Sequence, residues 1–174
     1  MPKLRWFIVA SAIMVIPFGF NESLPQATAR VEWRPKSSII GKDMKKSTAE
    51  DFRRLMNTVA ASWNEGDARN AADCYTEDAV YTEPPDKQVY VGRNALYEFF
   101  GGDKKPKPPM KMKWHHLAFD EESQIGFGEY TFQMNNRYHG IVIVKIRNGK
   151  ISNWREYQTK SNLEWKDFVE KNKF

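Results

Sequence analysis

The sequence predicts an α+β fold in which a curved antiparallel sheet wraps around N-terminal helices. Residues 47–102 contain three short helical patterns and one small hairpin, and residues 110–158 contain four strand-like runs separated by turn signals. A further helical pattern follows the last run. Helices and strands segregated along one chain in this way are typical of α+β domains. The hydrophobic content of 41% and the aromatic content of 14% are sufficient for a real core.

The N-terminal residues have the pattern of a targeting segment. Two cations precede the apolar run 6–20, and Ala27-Thr28-Ala29 has the small-x-small form of a signal peptidase site. The run is shorter than the roughly 20 residues that a membrane-spanning helix needs. We therefore predict a cleaved signal peptide at 1–29 and export of the mature chain, with an uncleaved membrane anchor as the alternative. Residues 30–46 show no sustained period and are interpreted as a linker, so the domain covers 47–174.

Charge and cysteine content restrict the possible partners. The net charge is +5, and the one dense cluster is five lysines within residues 104–113. Because no aromatic residue or arginine accompanies these lysines, we interpret the segment as a solvated loop and expect no nucleic-acid partner. Cys74 is the single cysteine, so no intrachain disulfide can form, and we expect a small buried side chain there. The sequence contains no flavin motif, phosphate-binding glycine loop or zinc-type spacing, and therefore implies no cofactor.

The helical patterns have recognisable boundaries. Ser47 and Glu50 form an S-x-x-E capping box before a helix that Gly66 ends. Asp67 can cap a second short helix that would extend through Tyr75. The segment 92–102 is a third short helix with glycines on both sides. A second S-x-x-E box, at residues 161–164, predicts a C-terminal helix.

The strand-like runs are separated by turn residues. Residues 78–85 are expected to form a strand that enters a turn at two prolines, and "QVYVG" is its return strand. The four longer runs begin near residues 110, 124, 137 and 150. Turn signals at 120–123, Asn135-Asn136 and Asn148-Gly149 lie between them. This order predicts a β-meander.

Four segments resemble the nuclear transport factor 2-like superfamily, and in particular its SnoaL-like branch. They are "WNEGD", "YTEDAVYTEPP", the helix after Gly92 and "GKISNWREYQ". The resemblance covers roughly residues 48–160 and implies a cone-shaped pocket between the sheet and the helices. The superfamily includes ketosteroid isomerases, limonene epoxide hydrolases, polyketide cyclases, dehydratases and binding proteins, so the resemblance leaves the chemistry open.

The resemblance also suggests catalytic positions. Limonene epoxide hydrolases have a Tyr and an amide on the first strand, and Tyr81 and Glu83 occupy these positions here. Their charged pair on a middle strand falls near Glu129 and Thr131, and their terminal acid falls on Glu156. The chain has no Arg between two acids at the expected place, which argues against epoxide hydrolysis.

Strand alternation groups these side chains by face. Tyr81 and Glu83 share a face, as do Glu129 and Thr131, and Glu156 shares its face with Trp154. Carboxylates held close together in a low dielectric cannot all ionise, so Glu156 and Glu129 would be an acid and a base. Tyr81 would donate a hydrogen bond to a substrate oxygen. Two alternatives remain open: a bulge at Gly126–Gly128, or a one-residue slip that turns residues 130, 132 and 134 inward and expels Glu129.

Aromatic and apolar side chains around the predicted cavity are the candidate ligand contacts. They are Trp63, Tyr75, Leu96, Phe99, Phe100, Trp114, Phe127, Thr131 and Trp154. His115 and His116 would face opposite sides of a regular strand, so we expect no metal site there.

The expected function is binding of a small apolar organic molecule. One alternative is an acid/base enzyme of the isomerase, cyclase or dehydratase type. The other is a dimeric interaction module, with Ile141, Ile143 and Trp154 at the interface if the strand parity runs the other way.

Overall fold

The computed structural model describes residues 46–83, 88–104 and 110–173. The predicted signal peptide at 1–29, and all of the predicted linker at 30–46 except its last residue, lie outside this range. No helix within the described ranges is long and apolar enough to cross a membrane.

Helix α1 (Ala49–Glu65) begins one residue later than the sequence suggested. The capping box joins Thr48 and Asp51: the Thr48 hydroxyl accepts the Asp51 N–H, and the Asp51 carboxylate accepts the Thr48 N–H. The predicted box at Ser47 is wrong. Ser47 is buried, and its backbone N–H and carbonyl form hydrogen bonds with the side-chain amide of Gln124. The helix ends at Gly66, which adopts a left-handed φ of 73°; this confirms the predicted end of the helix.

Two short helices follow. Asp67 caps α2 (Ala68–Asp73), which confirms the predicted cap, and α3 (Arg93–Phe100) lies between glycines as expected. The predicted extension of α2 to Tyr75 is wrong. The Cys74 carbonyl accepts the backbone N–H of Ile151, so the chain is already pairing as a strand at this point.

The described residues contain six strands: β1 (Tyr75–Glu83), β2 (Gln88–Val91), β3 (Lys111–Asp120), β4 (Ile125–Gln133), β5 (Arg137–Arg147) and β6 (Lys150–Lys160). They form one sheet in the order β2-β1-β6-β5-β4-β3. The α+β class and the four-strand meander are confirmed. The β1–β6 pairing is parallel and the others are antiparallel, so the sheet is mixed.

The C-terminal helix is shorter than its sequence pattern suggested. Helix α4 (Trp165–Phe168) is a single turn that begins after Glu164 without a side-chain cap. The predicted capping box is absent from it, because the Ser161 hydroxyl accepts the backbone N–H of Leu163 instead.

The two faces of the sheet differ sharply. The inner face packs against the helices and contributes Tyr130, Val142, Val144, Ile151 and Trp154 to the core. The outer face leaves Phe127, Ile141 and Tyr157 between 42% and 45% exposed. Trp154 is 1% exposed, so it cannot share an outer interface with Ile141, as one reading of the sequence had allowed.

Candidate functional site

Glu156 is the centre of the most polar buried cluster on the inner face. Its side chain is 4% exposed. The Glu156 carboxylate accepts hydrogen bonds from the hydroxyls of Tyr81 and Tyr130 and, at 3.0 Å, from the indole N–H of Trp154. These donors come from β1, β4 and β6, so the sheet as a whole holds the carboxylate in place.

A glycine makes the bond from Tyr130 possible. Strand β5 separates β4 from β6, and Gly140 on β5 is paired with both Tyr130 and Gln158. The Tyr130 ring crosses β5 over Gly140, where a β-carbon would lie 2.4 Å from the phenol Cζ and oxygen. No other amino acid at position 140 would leave room for this crossing.

Burial and the charge of Glu156 keep both phenols protonated. Burial is the larger cause, and the negative charge of Glu156 the next, in raising the pKa of Tyr81 and Tyr130 well above the usual value of about 10. Each hydroxyl therefore retains its proton at neutral pH and donates it to Glu156. Hydrogen bonds from such donors compensate for part of the cost of burying a carboxylate.

A second carboxylate belongs to the same cluster. Glu83, at the end of β1, is 5% exposed and accepts a hydrogen bond from the amide of Gln158. The Gln158 oxygen lies 3.4 Å from the Tyr130 hydroxyl oxygen. Gln158 and Tyr130 thus connect Glu83 to Glu156.

The two carboxylates face a cavity of about 480 Å³ at the end of the sheet. Its volume lies within the usual range for small-molecule sites, which is roughly 300–1,000 Å³. The apolar wall consists of Trp63, Phe99, Phe100, Met110, Phe132, Met134 and Tyr138. The polar wall consists of Tyr81, Glu83, Gln88, Glu156, Gln158, Thr159 and Lys160. We call this cavity the Glu156 pocket.

The predicted ligand contacts divide between wall and core. Trp63, Phe99 and Phe100 line the Glu156 pocket. The other four do not line it: Tyr75, Leu96 and Trp154 belong to the buried core, and Trp114 packs against that core. Trp154, for example, stacks on Tyr81 with 5.7 Å between ring centroids.

The predicted inward orientation of Phe127, Glu129 and Thr131 is wrong. Phe127 is 44% exposed on the outer face, and Glu129 there bonds His116 at 2.6 Å. The alternative slip, with residues 130, 132 and 134 toward the pocket, describes the strand correctly. The reason is steric: Gly126 and Gly128 face inward and leave space for the rings of Phe52 and Trp114.

The histidine pair also differs from its prediction. A register shift between Trp114 and His116 in β3 brings both His115 and His116 to the outer face. His115 bonds the Thr131 hydroxyl at 2.9 Å and stacks on Trp165 at 3.6 Å. Burial, with a smaller contribution from the charge of Lys113, lowers the pKa of His115 from 6.5 to about 4, so its ring is neutral at physiological pH. In the part of the chain that the structure describes, no three His, Cys, Asp or Glu side chains are arranged to hold a metal ion.

Tyr130 and Gln158 are site residues that the sequence reasoning did not assign. Gln158 follows Glu156 on the same face of β6, so strand alternation alone could have identified it. Tyr130 could have been found from the glycines of β4, since small residues at alternate positions indicate the face that large neighbours fill.

Comparison with solved structures gives the class of fold. A nuclear transport factor 2-like protein of unknown function from Burkholderia xenovorans has 20% identity, a TM-score of 0.54, and coverage of 72% of this chain and 94% of its own. An epoxide hydrolase of M. tuberculosis, similar to limonene epoxide hydrolases, has 14% identity, a TM-score of 0.54, and coverage of 63% and 84%. A protein with a ketosteroid isomerase-like fold from Catenulispora acidiphila, solved with trimethylamine, has 10% identity, a TM-score of 0.51, and coverage of 59% and 83%. The fold is therefore that of the nuclear transport factor 2-like α+β proteins.

The sequence itself identifies the family. Residues 53–154 match the model of the SnoaL-like domain, which is more than half of the chain. The chain belongs to the SnoaL-like family. No curated protein gives a significant match to the sequence.

Proposed function

We propose that the Glu156 pocket binds a small, mostly apolar organic molecule with a hydrogen-bond donor at one end. The observation that carries this proposal is a buried carboxylate with three bonded donors in the wall of a cavity with several aromatic side chains. A buried ionic group usually stabilises a fold less than apolar residues of the same volume would. Its presence beside a cavity therefore favours a functional role.

The chemistry of the walls defines the ligand class. Trp63, Phe99 and Phe100 offer apolar surface to a ring or short chain. Carboxylate oxygens accept hydrogen bonds, so Glu83 and Glu156 favour a hydroxyl or an amine at the inner end of the ligand.

Calorimetric titration with a set of small aromatic and alicyclic alcohols tests binding. Phe99→Ala removes part of the pocket wall, and Phe127→Ala removes the same side chain from the outer face. We expect Phe99→Ala to weaken binding by about tenfold, the usual scale for a buried aromatic contact, and Phe127→Ala to leave it unchanged. Equal effects of the two variants, or no binding by any alcohol, would contradict the proposal.

A second candidate is acid/base chemistry of the isomerase, cyclase or dehydratase type. The observation that favours it is the connection of two buried carboxylates, Glu83 and Glu156, through Gln158 and Tyr130 at one cavity. Glu83 takes the place that the sequence had suggested for Glu129. Tyr81 has one hydroxyl proton and donates it to Glu156, so it positions that carboxylate and does not donate to a substrate oxygen.

Isomerisation of a β,γ-unsaturated cyclic ketone, followed by its ultraviolet absorbance, tests this candidate. Glu156→Gln and Glu83→Gln should each abolish the activity, because each removes a group that can take up a proton. Glu129→Gln is the matched control on the outer face and should retain full activity. Activity that survives Glu156→Gln would exclude this chemistry at the Glu156 pocket.

We also propose export and homodimer formation. The apolar run followed by a small-x-small site supports cleavage of residues 1–29, and the mass of the mature chain from its native host tests it.

Exposed Phe127, Ile141 and Tyr157 on the outer face support a dimer. In sedimentation experiments the wild type should be a dimer and Ile141→Lys should be a monomer. A monomeric wild type would contradict this assembly.

A further inference from the structure

A second cavity, of about 430 Å³, lies on the outer face of the sheet, near the C-terminal helix. It is bounded mainly by the first residues of β3, the last residues of β4, the first residue of β5, and Trp165 of α4. The Glu156 pocket is on the inner face, so the strands lie between the two and each is a site of its own. We call the second cavity the outer cavity.

Strand pairing brings the polar side chains of the outer cavity together in two rows. In the first row Lys111 lies opposite Gln133, and Gln133 lies opposite Arg137. In the next row Lys113 lies opposite Thr131. Residues two apart on a strand share a face, so Lys111 and Lys113 on β3 point to the same side as Thr131 and Gln133 on β4. The register of three strands therefore builds this wall.

The wall of the outer cavity is basic. Lys111, Lys113 and Arg137 supply three cations, against the single carboxylate of Glu164. Arg137 is paired with Glu164, which compensates its charge. Neither Lys111 nor Lys113 forms an ion pair with another residue that the structure describes. Two ammonium groups beside a third cation repel one another, and a bound anion would remove that repulsion.

Trp165 is the aromatic member of the wall. Its ring stacks on the His115 ring with 3.6 Å between centroids, and His115 is bonded to the Thr131 hydroxyl. These contacts hold the indole in place beside the lysines. A positioned aromatic side chain next to uncompensated positive charge favours a ligand that combines a ring with an anionic group.

We propose that the outer cavity binds a small aromatic carboxylate. The ammonium groups of Lys111 and Lys113 can each pair with one carboxylate oxygen, and the Gln133 amide can donate a further hydrogen bond. Lysine carries its charge on a flexible stem, so the two groups can adjust to one anion. The ring of the ligand packs against Trp165. This site is independent of the proposed ligand of the Glu156 pocket and goes beyond that function.

Calorimetric titration of 1-naphthaleneacetate into the wild type and three variants tests the inference. Lys111→Gln/Lys113→Gln should weaken binding by about fivefold, as the loss of two partly exposed charge pairs would give. The matched control is Lys46→Gln/Lys145→Gln. It removes the same charge near the β3–β4 turn, at the other end of the sheet, where these lysines bond the carbonyls of Glu122 and Ser123. This control should bind as the wild type does.

Phe99→Ala, which alters the wall of the Glu156 pocket, is the third variant and should leave the affinity for 1-naphthaleneacetate unchanged. Circular dichroism verifies that all variants are folded. If the anion does not bind, or if the two double lysine variants have equal effects, the inference is wrong. Weaker binding by Phe99→Ala but not by Lys111→Gln/Lys113→Gln would place the anion in the Glu156 pocket; this also overturns the inference but leaves the proposed function standing. Failure of the alcohols to bind would refute only the latter.

Discussion

Glu156 and Glu129 belong to the same sheet but lie in contrasting environments. Glu156 is buried on the inner face and accepts hydrogen bonds from two phenols and an indole. Glu129 lies on the outer face, 31% exposed, and pairs with His116, which is 44% exposed. Solvent and mobile side chains can replace the partner of Glu129, whereas nothing but the fold can supply the partners of Glu156. Neighbouring groups, and not residue type, make one carboxylate a candidate for chemistry.

The largest contrast is expected from removing each carboxylate. Glu156→Ala leaves three buried donors without an acceptor and should lower the free energy of unfolding by about 3–5 kcal/mol. Glu129→Ala breaks a partly exposed pair and should cost less than about 1 kcal/mol. Urea denaturation of both variants measures the difference. Similar losses in the two would show that the Glu156 cluster contributes no more than a surface pair.

The next effect concerns the glycine that Tyr130 crosses. Gly140→Ala places a methyl group where the phenol lies, so the ring must move and its bond to Glu156 must break. We expect a destabilisation of about 2–3 kcal/mol, typical of overpacking. In the Tyr130→Leu background the same substitution should cost much less, because the ring is gone. An equal cost in both backgrounds would mean that the glycine serves another purpose.

A smaller effect is expected from deleting one hydroxyl. Tyr130→Phe removes one donor from the Glu156 carboxylate and should destabilise the protein by about 1.5–3 kcal/mol, the range for hydrogen bonds to charged groups. Tyr157→Phe is the matched control, since Tyr157 is 42% exposed on the outer face. That control should change stability by less than about 0.5 kcal/mol. The two variants are compared by thermal and urea denaturation, and an equally small change in Tyr130→Phe would count against the cluster.

The smallest expected effect is a dependence of stability on pH, caused by His115 on the outer face of the sheet. The pKa of His115 is about 4 in the folded chain and about 6.5 in the unfolded chain. The unfolded state therefore binds the extra proton between these values, and stability falls as the pH decreases from about 6.5 to about 4. His115→Gln should reduce this slope, as measured by urea denaturation at several pH values. An unchanged slope would show that the ring titrates normally.

Sequence patterns were most reliable where the local signal was strong. Gly66, Asp67 and Asn148-Gly149 marked boundaries through backbone geometry or capping, which depend on few neighbours. Alternation along β1 and β6 correctly grouped Tyr81 with Glu83 and Trp154 with Glu156.

The errors arose where packing decides between two local solutions. Alternation groups the side chains of β4 but does not say which group faces inward, and only the fit of Gly126 and Gly128 against core rings resolves this. The bulge in β3 likewise places His115 and His116 on one face, which regular alternation forbids. The cap at Thr48 replaced the one at Ser47 because Gln124, distant in sequence, bonds the Ser47 backbone.

The most direct test of the central claim compares ligand binding by Glu156→Gln and Glu129→Gln. Calorimetric titration of 2-(1-naphthyl)ethanol into the wild type and both variants provides the measurement. We predict that Glu156→Gln weakens binding by about tenfold or more, because an amide among three donors disturbs the pocket wall, and that Glu129→Gln binds as the wild type does. Equal affinities of all three proteins would contradict the assignment of the Glu156 pocket as the functional site.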